Sequence, residues 1–295
     1  MFDSVVLAGG GHRCWWQLGW WDAVSEVVPL KPSQIAGVSA GAATACLIYA
    51  NSAKTALDYY REKLRPGARN FYPRKLFVRG ERAMPHEQIY RGALQYLLGG
   101  EAFERLQTSA PEIRIMYARP PGWLPTPVSV GVGLAAYNLE KYWRRPLHPV
   151  FGRRLGFKPE VVTVQSCQTA QALIDLIIAS SSTPPMTSIQ KIGGRPVVDG
   201  GLIDNVPVQI LDRVDVDNNM SAGKSKTLVL VTRRYANFDP VFQREGRVYV
   251  QPSKPVAASS WDYTAPIAYQ ETYDQGRRDA DLFLQWYRNQ SQESI

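Results

Sequence analysis

Two short apolar segments near the N-terminus each end at a glycine-rich turn that is followed by a helical pattern. Residues 4–8 stop at three consecutive glycines, and residues 34–38 stop at the turn that contains Ser39. Short apolar runs of this kind are typical of buried parallel strands, and the apolar residues after each turn suit helices packed on a sheet. The sequence therefore predicts an α/β fold with a central, mostly parallel sheet flanked by helices.

The rest of the chain continues this alternation. We predict further strands at 112–117, 161–164, 196–199, 227–231 and 247–250. We predict helices at 15–27, 40–49, 87–98, 169–179 and 262–287, the last one interrupted near Pro266, and a proline-rich loop at 120–127. We find no internal repeat, and 295 residues can bury one large core, so we expect a single domain over residues 1–295.

Composition excludes several classes of protein. The hydrophobic fraction of 45% rules out wholesale disorder. The N-terminus lacks a basic segment, and the uncharged stretch at 120–139 is broken by prolines, so we expect no signal peptide and no membrane span. Cys14, Cys46 and Cys167 are scattered and odd in number, which argues against disulfides and structural zinc. We expect a cytoplasmic protein without a metal or other cofactor.

The excess positive charge is concentrated in the middle of the chain. Residues 61–160 contain 18 Lys and Arg against 8 Asp and Glu, whereas the remaining residues contain 16 against 18. Such a segment is either a solvated basic surface or a face for an anionic partner, which could be a membrane or a nucleic acid. The chain has no recognisable nucleic-acid-binding motif, so we expect no nucleic-acid partner.

Gly37-Val38-Ser39-Ala40-Gly41 forms a GxSxG pentapeptide between a predicted strand and a predicted helix. Glycines on both sides of a serine permit a tight turn that exposes the hydroxyl at the N-terminus of the helix. This context favours Ser39 as a nucleophile, with Gly37 and Gly41 as the glycines of the elbow. The alternative is a structural glycine turn.

A nucleophilic serine needs a base, and the histidines do not supply one in the order of an ordinary Ser-Asp-His triad. His12, His86 and His148 all precede the best candidate acid, Asp199. An aspartate can itself be the base if burial raises its pKa. Asp199 ends a short apolar strand and is followed by two glycines, although an Asp-Gly turn without catalytic function has the same sequence.

The three glycines Gly9, Gly10 and Gly11 expose successive backbone N–H groups just after the first strand. They could form an oxyanion hole, cradle a phosphate or open a dinucleotide fold. The phosphate-loop alternative fails because no Gly-Lys-Ser/Thr follows, and the dinucleotide fingerprint is weak because Cys14 occupies the third glycine position.

Taken together, these segments resemble the patatin-like phospholipase family. Residues 9–13 (GGGHR) resemble its GGGx[KR]G motif, residues 37–41 its GxSxG elbow, residues 179–184 its Ala-Ser-x-x-x-Pro segment and residues 199–207 its DG[GA]xxxNxP pattern. The resemblance covers residues 4–60 and 161–210 well, and it implies a Ser39–Asp199 dyad with an oxyanion hole at Gly9, Gly10, Gly11 and Arg13. It also implies hydrolysis of phospholipid or lysophospholipid esters; a catalytically inactive lipid-binding relative is the alternative.

Two features of the sequence bear on this resemblance. Cys14 replaces the last glycine of the first motif, which would strain the loop if that position requires a positive φ. The segment from Trp123 to Trp143 combines apolar and aromatic residues and is followed by Arg144 and Arg145, so it could lie at a membrane interface or simply face the core. We predict peripheral membrane contact and interpret residues 61–160 as a basic, aromatic-rich inserted cap.

Overall fold

A computed structural model describes residues 2–64, 69–78, 80–108, 110–143, 146–148, 151–211 and 226–292. Arg144 and Arg145 therefore lie outside the described residues. The described part contains one mixed, mostly parallel sheet of nine strands with helices packed against it, which confirms the predicted α/β class.

In chain order, the strands are β1 (Ser4–Leu7), β2 (Gln34–Val38), β3 (Glu112–Arg119), β4 (Lys158–Thr163), β5 (Gln190–Ile192), β6 (Arg195–Asp199), β7 (Thr227–Leu230), β8 (Val241–Arg244) and β9 (Arg247–Val250). The hydrogen-bonded order across the sheet is β5-β6-β3-β2-β1-β7-β9-β8, with β4 also paired to β3. Strands β3, β2, β1, β7 and β9 run parallel, so their carboxyl ends share one edge. Ligand sites of open α/β sheets form at that edge.

Nine helices are described. They are α1 (Trp15–Ser25), α2 (Ala40–Tyr49), α3 (Ala53–Lys63), α4 (His86–Leu98), α5 (Glu101–Thr108), α6 (Thr126–Trp143), α7 (Phe151–Arg154), α8 (Ala170–Ser180) and α9 (Pro266–Gln292). Helix α1 is buried on almost all sides and packs along α9, where the Trp16 indole N–H donates to Asp279 at 2.8 Å. Among the described residues, no helix combines the length and hydropathy needed to cross a bilayer.

Strand β3 sets the register of the candidate site. Val38, the last residue of β2, pairs with Met116, and the next residue of β3, Tyr117, pairs with Asp199 of β6. The residue that follows β2 and the residue that ends β6 are therefore brought to adjacent positions along one strand. Residues 61–160 contain β3 and therefore contribute a strand to the central sheet, and the predicted cap is not confirmed.

Several element boundaries differ from the predictions. The C-terminal helix is not interrupted near Pro266 but begins there, because a proline at the first helical position loses no intrahelical hydrogen bond. Strands β5 and β8, at the two ends of the strand order, were not predicted, since they are short and carry polar residues. Strand β4 is antiparallel to β3, which its sequence alone did not indicate.

Candidate active site

Ser39 occupies a strained turn between β2 and α2. Its backbone has φ 54° and ψ −133°, a conformation that a non-glycine residue adopts only when its surroundings enforce it. The Ser39 N–H donates to the Ser180 hydroxyl at 2.8 Å, and that hydroxyl donates to the Met116 carbonyl at 2.6 Å. Ser180, which belongs to the 179–184 segment, thus ties the turn to β3 through its hydroxyl.

The glycines on either side of Ser39 allow the backbone to pack closely. A Cβ on Gly41 would lie 2.3 Å from the Leu7 carbonyl oxygen, and one on Gly37 would lie 2.8 Å from the Ala42 Cα. Both contacts are with backbone atoms, which cannot move away without distorting β1 or α2. The predicted roles of Gly37 and Gly41 in the turn therefore have a direct steric basis.

The Asp199 carboxylate is buried at the end of β6 and held by two donors. Its Oδ1 accepts from the Gly201 N–H at 2.6 Å, and its Oδ2 accepts from the Thr183 hydroxyl at 3.2 Å. Burial raises the pKa of Asp199 to about 6, and the polar groups of Ser39, Gly201 and Thr183 act in the opposite direction. A carboxylate with this pKa is ionised at neutral pH and is basic enough to accept a proton from a positioned hydroxyl.

The glycine loop after β1 lies beside Ser39 and is fixed by two polar side chains. A Cβ on Gly9 would lie 3.3 Å from the Ser39 Cβ. The Gly9 carbonyl accepts from the Asn205 amide and the Thr232 hydroxyl, each at 2.8 Å. Asn205 belongs to the 199–207 segment, so two of the sequence motifs meet at this contact.

The three glycines are not equivalent as donors. The Gly9 N–H donates to the Asn205 carbonyl at 3.0 Å, so this group is occupied and is not free to donate to an oxyanion as predicted. The N–H groups of Gly10 and Gly11 have no acceptor within the described part of the chain. Gly11 has φ +58°, and a Cβ there would lie 2.0 Å from the Ser260 carbonyl oxygen, so only glycine fits.

Arg13 and Cys14 follow this loop without strain. The Arg13 Nε–H donates to the Gly10 carbonyl at 3.2 Å, which supports the loop. Cys14 has φ −66° and ψ −12°, an ordinary helical conformation, and its buried thiol contacts the Ala8 carbonyl at 3.6 Å. The position does not require a positive φ, so cysteine in place of the motif glycine is accommodated.

Ser39 lies between two cavities of different character. The first, called here the apolar cavity, has a volume of about 60 Å³ and is lined mainly by Trp15, Leu18, Ala43, Leu47, Tyr60 and Tyr263. The second, called here the basic cavity, has a volume of about 460 Å³ and is lined by Arg13, Arg233, Tyr137, Asn138, Thr183 and Asp199 among others. Ser39 lines both.

None of the three histidines is hydrogen-bonded to Ser39. The His12 ring stacks on Tyr269 at 4.3 Å, and burial lowers the pKa of His12 to about 3. His86 contacts the Trp261 carbonyl at 2.8 Å, and His148 lies 3.3 Å from Asp204. Asp199, by contrast, is a buried carboxyl group whose pKa is raised by burial and lowered, to a smaller extent, by the Ser39 side chain.

The family model described as patatin-like phospholipase matches residues 5–212, more than two thirds of the chain. The chain belongs to the patatin-like phospholipase family. Membership in this family supports lipid acyl hydrolase activity.

The other comparisons give distant or no matches. The crystal structure of VipD from Legionella pneumophila is similar to this patatin-like chain, with a TM-score of 0.43 and 13% sequence identity. The alignment covers 95% of this chain and 67% of that chain. A search of the curated proteins finds no significant match.

The patatin-like site brings together most of the residues singled out in the sequence: Ser39, Asp199, Gly10, Gly11 and Arg13. Sequence reasoning missed Arg233, Tyr137 and Asn138, which line the basic cavity. No local signal could have identified them, because they come from helix α6 and from the segment after β7. No group of three His, Cys, Asp or Glu side chains suited to a metal ion occurs among the residues described.

Proposed function

We propose that this protein is a serine-dependent lipid acyl hydrolase of the phospholipase A or lysophospholipase type that uses a Ser39–Asp199 dyad. The observation that carries this proposal is the position of Ser39, on a strained turn beside a buried Asp199 with a raised pKa and between an apolar and a basic cavity. A lipid ester suits this arrangement, because its acyl chain matches the apolar cavity and its polar alcohol matches the basic cavity.

The proposed reaction has two steps. Asp199 accepts the hydroxyl proton of Ser39 as Oγ attacks the acyl carbonyl, and the N–H groups of Gly10 and Gly11 stabilise the negative oxygen of the tetrahedral intermediate. The intermediate collapses to an acyl-serine while Asp199 returns the proton to the departing alcohol. Asp199 then removes a proton from water, which attacks the acyl-serine. As the bond between the acyl carbon and Ser39 Oγ breaks, Asp199 returns this proton to Oγ, and the fatty acid is released. The apolar cavity would hold the acyl chain, and it must widen to do so.

The pH dependence of hydrolysis tests this proposal. The value of kcat/KM for a soluble nitrophenyl ester or a lysophospholipid is expected to rise about tenfold per pH unit below pH 6 and to level off above it. The reason is that only ionised Asp199 can accept the proton, and kcat/KM reports the free enzyme. The measurement is kcat/KM from pH 4.5 to 8.5. A profile that stays flat across pH 5–7, in an active protein, contradicts Asp199 as the base.

The same proposal includes contact with a membrane surface through helix α6. Val128, Val132, Leu139 and Trp143 recur at helical spacing along its outer side, and their exposed fractions are 49%, 42%, 54% and 77%. Leu134, on the same helix, lines the basic cavity beside Ser39. An apolar stripe next to the opening of a lipid-hydrolysing site suits a bilayer, into which these side chains would insert at headgroup depth.

Replacing Val132 and Leu139 together with glutamate is expected to weaken binding to vesicles by about tenfold or more, since two apolar side chains leave the interface and two negative charges enter it. The measurement is co-sedimentation with anionic vesicles, together with hydrolysis of a soluble short-chain ester, which should be retained. Ile267→Glu is the matched control, because Ile267 is 75% exposed on α9. Equal weakening by both variants, or none by the double variant, contradicts the assignment.

A further inference from the structure

The basic cavity contains two arginines that have no carboxylate partner. Arg13 and Arg233 both line it with Ser39, and neither takes part in an ion pair among the described residues. The Nε of Arg233 is buried without a hydrogen-bond partner in that part of the chain. Two guanidinium groups therefore line one cavity without an ion-pair partner among the described residues.

The two guanidinium groups are close enough to repel each other. Burial and the charge of Arg233 lower the pKa of Arg13 to about 10. Asp199 also lines this cavity, but the two arginines still leave it with a net positive charge, and an anion that enters offsets their repulsion. The arrangement therefore favours a ligand that brings negative charge to this cavity.

Neighbouring residues hold both arginines in place. The Arg13 Nε–H donates to the Gly10 carbonyl, which leaves its terminal nitrogens free to bind. The Arg233 Nη2 donates to the Tyr137 hydroxyl at 2.8 Å, and Thr232, the residue before it, donates to the Gly9 carbonyl at 2.8 Å. The Arg13 guanidinium is thus tied to the glycine loop beside Ser39, and the Arg233 guanidinium is tied to Tyr137 of helix α6.

We propose that Arg13 and Arg233 form an anion subsite that binds a phosphate on the alcohol side of the lipid ester. Arginine forms paired, charge-assisted hydrogen bonds with phosphate oxygens, which suits two guanidinium groups that face one cavity. Since Ser39 lies between the two cavities, the acyl chain would extend to one side and the phosphate-bearing alcohol to the other. The protein would therefore prefer phosphate-bearing esters to neutral glycerides.

This inference rests on the proposed hydrolase function, and its test separates the two. Arg233→Gln is expected to lower kcat/KM for lysophosphatidylcholine about 10- to 100-fold, mainly through KM, and to lower kcat/KM for a monoacylglycerol with the same acyl chain much less. Arg233→Lys should restore part of the preference, because it keeps the charge. Arg278→Gln, an exposed arginine on α9, is the matched control and should change neither substrate.

A binding measurement needs no turnover and distinguishes the possible sources of phosphate. Glycerol 3-phosphate, titrated into the protein by calorimetry, should bind to the Ser39→Ala variant and bind at least tenfold more weakly when Arg233→Gln is added. Equal losses of kcat/KM on both substrates would overturn the subsite. Binding of inorganic phosphate without any preference between the two esters would overturn its assignment to the lipid headgroup. If the wild type binds glycerol 3-phosphate at Arg233 but cleaves no ester, the hydrolase proposal fails and the anion site stands.

Discussion

Replacing Ser39 with alanine is expected to reduce ester hydrolysis to near the uncatalysed background, a loss of about 10⁴-fold or more. The change removes Oγ, the proposed nucleophilic atom, but keeps the backbone hydrogen bond that holds the turn. The hydrogen bond from the Ser39 N–H to the Ser180 hydroxyl does not involve the Ser39 side chain, so the fold should persist. The measurements are kcat/KM on a soluble ester and labelling by a fluorophosphonate, with unfolding followed by circular dichroism.

Ser166→Ala is the matched control for this change. Ser166 is an exposed serine on the turn after β4, and its hydroxyl contacts only the Thr163 carbonyl. The control should keep wild-type activity and fluorophosphonate labelling. Activity above a small fraction of the wild type in correctly folded Ser39→Ala would mean that another nucleophile performs the reaction.

Replacing Asp199 with asparagine is expected to cost about 10³- to 10⁴-fold in kcat/KM, because the amide cannot accept the serine proton. His12→Phe tests the alternative base. Phenylalanine preserves the ring that packs between Tyr263 and Tyr269, and this variant should keep most of its activity. Loss of hydrolysis in folded His12→Phe, with hydrolysis retained in Asp199→Asn, would reverse the assignment.

The Asp199→Asn variant should also be more stable than the wild type at neutral pH. A pKa raised from 3.8 to about 6 means that the folded protein disfavours the ionised carboxylate, so the wild type loses stability as the pH rises from about 4 to about 6. The shift corresponds to roughly 2–3 kcal/mol of unfolding free energy above pH 6. Asparagine lacks this penalty, and its advantage should shrink towards pH 4.

Denaturant unfolding at pH 7.5 and at pH 4.5 measures this difference. Asp281→Asn, an exposed aspartate on α9, is the control and should show little change at either pH. A destabilised Asp199→Asn variant at both pH values would indicate that the hydrogen bonds from Gly201 and Thr183 outweigh the cost of the buried charge. Activity lost together with stability gained is the pattern expected of a functional carboxylate.

The sequence was most informative where local structure and chemistry depend on the same few residues. The strands at 4–8 and 34–38 and the turns that follow them were predictable, because a buried parallel strand needs an apolar run and a tight turn needs glycine. The Ser39 turn could be located for the same reason. The absence of a histidine after Asp199 was also visible in the sequence, and it disfavoured an ordinary Ser-Asp-His triad and left an aspartate as the candidate base.

What the sequence did not reveal depends on pairing between distant segments. Gly9 has the same local sequence signal as Gly10 and Gly11, yet its N–H is occupied by the Asn205 carbonyl, which arrives from a remote part of the chain. Arg233 follows an ordinary apolar strand, and its place beside Arg13 depends on β7 pairing with β1. The basic charge of residues 61–160 suggested a separate cap, but charge carries no information about β3, which is a buried strand inside that range.

The position of β3 has a consequence for the kinetics of folding. Ser39 and Asp199 are separated by more than half of the chain, and they meet only when β3 has paired with both β2 and β6. Closing so long a loop is slow, because its entropic cost is met before the distant contacts form. A nascent or half-folded chain thus carries the proposed nucleophile without the proposed base, and the proposed hydrolysis would begin only when the last of these long-range pairings is complete.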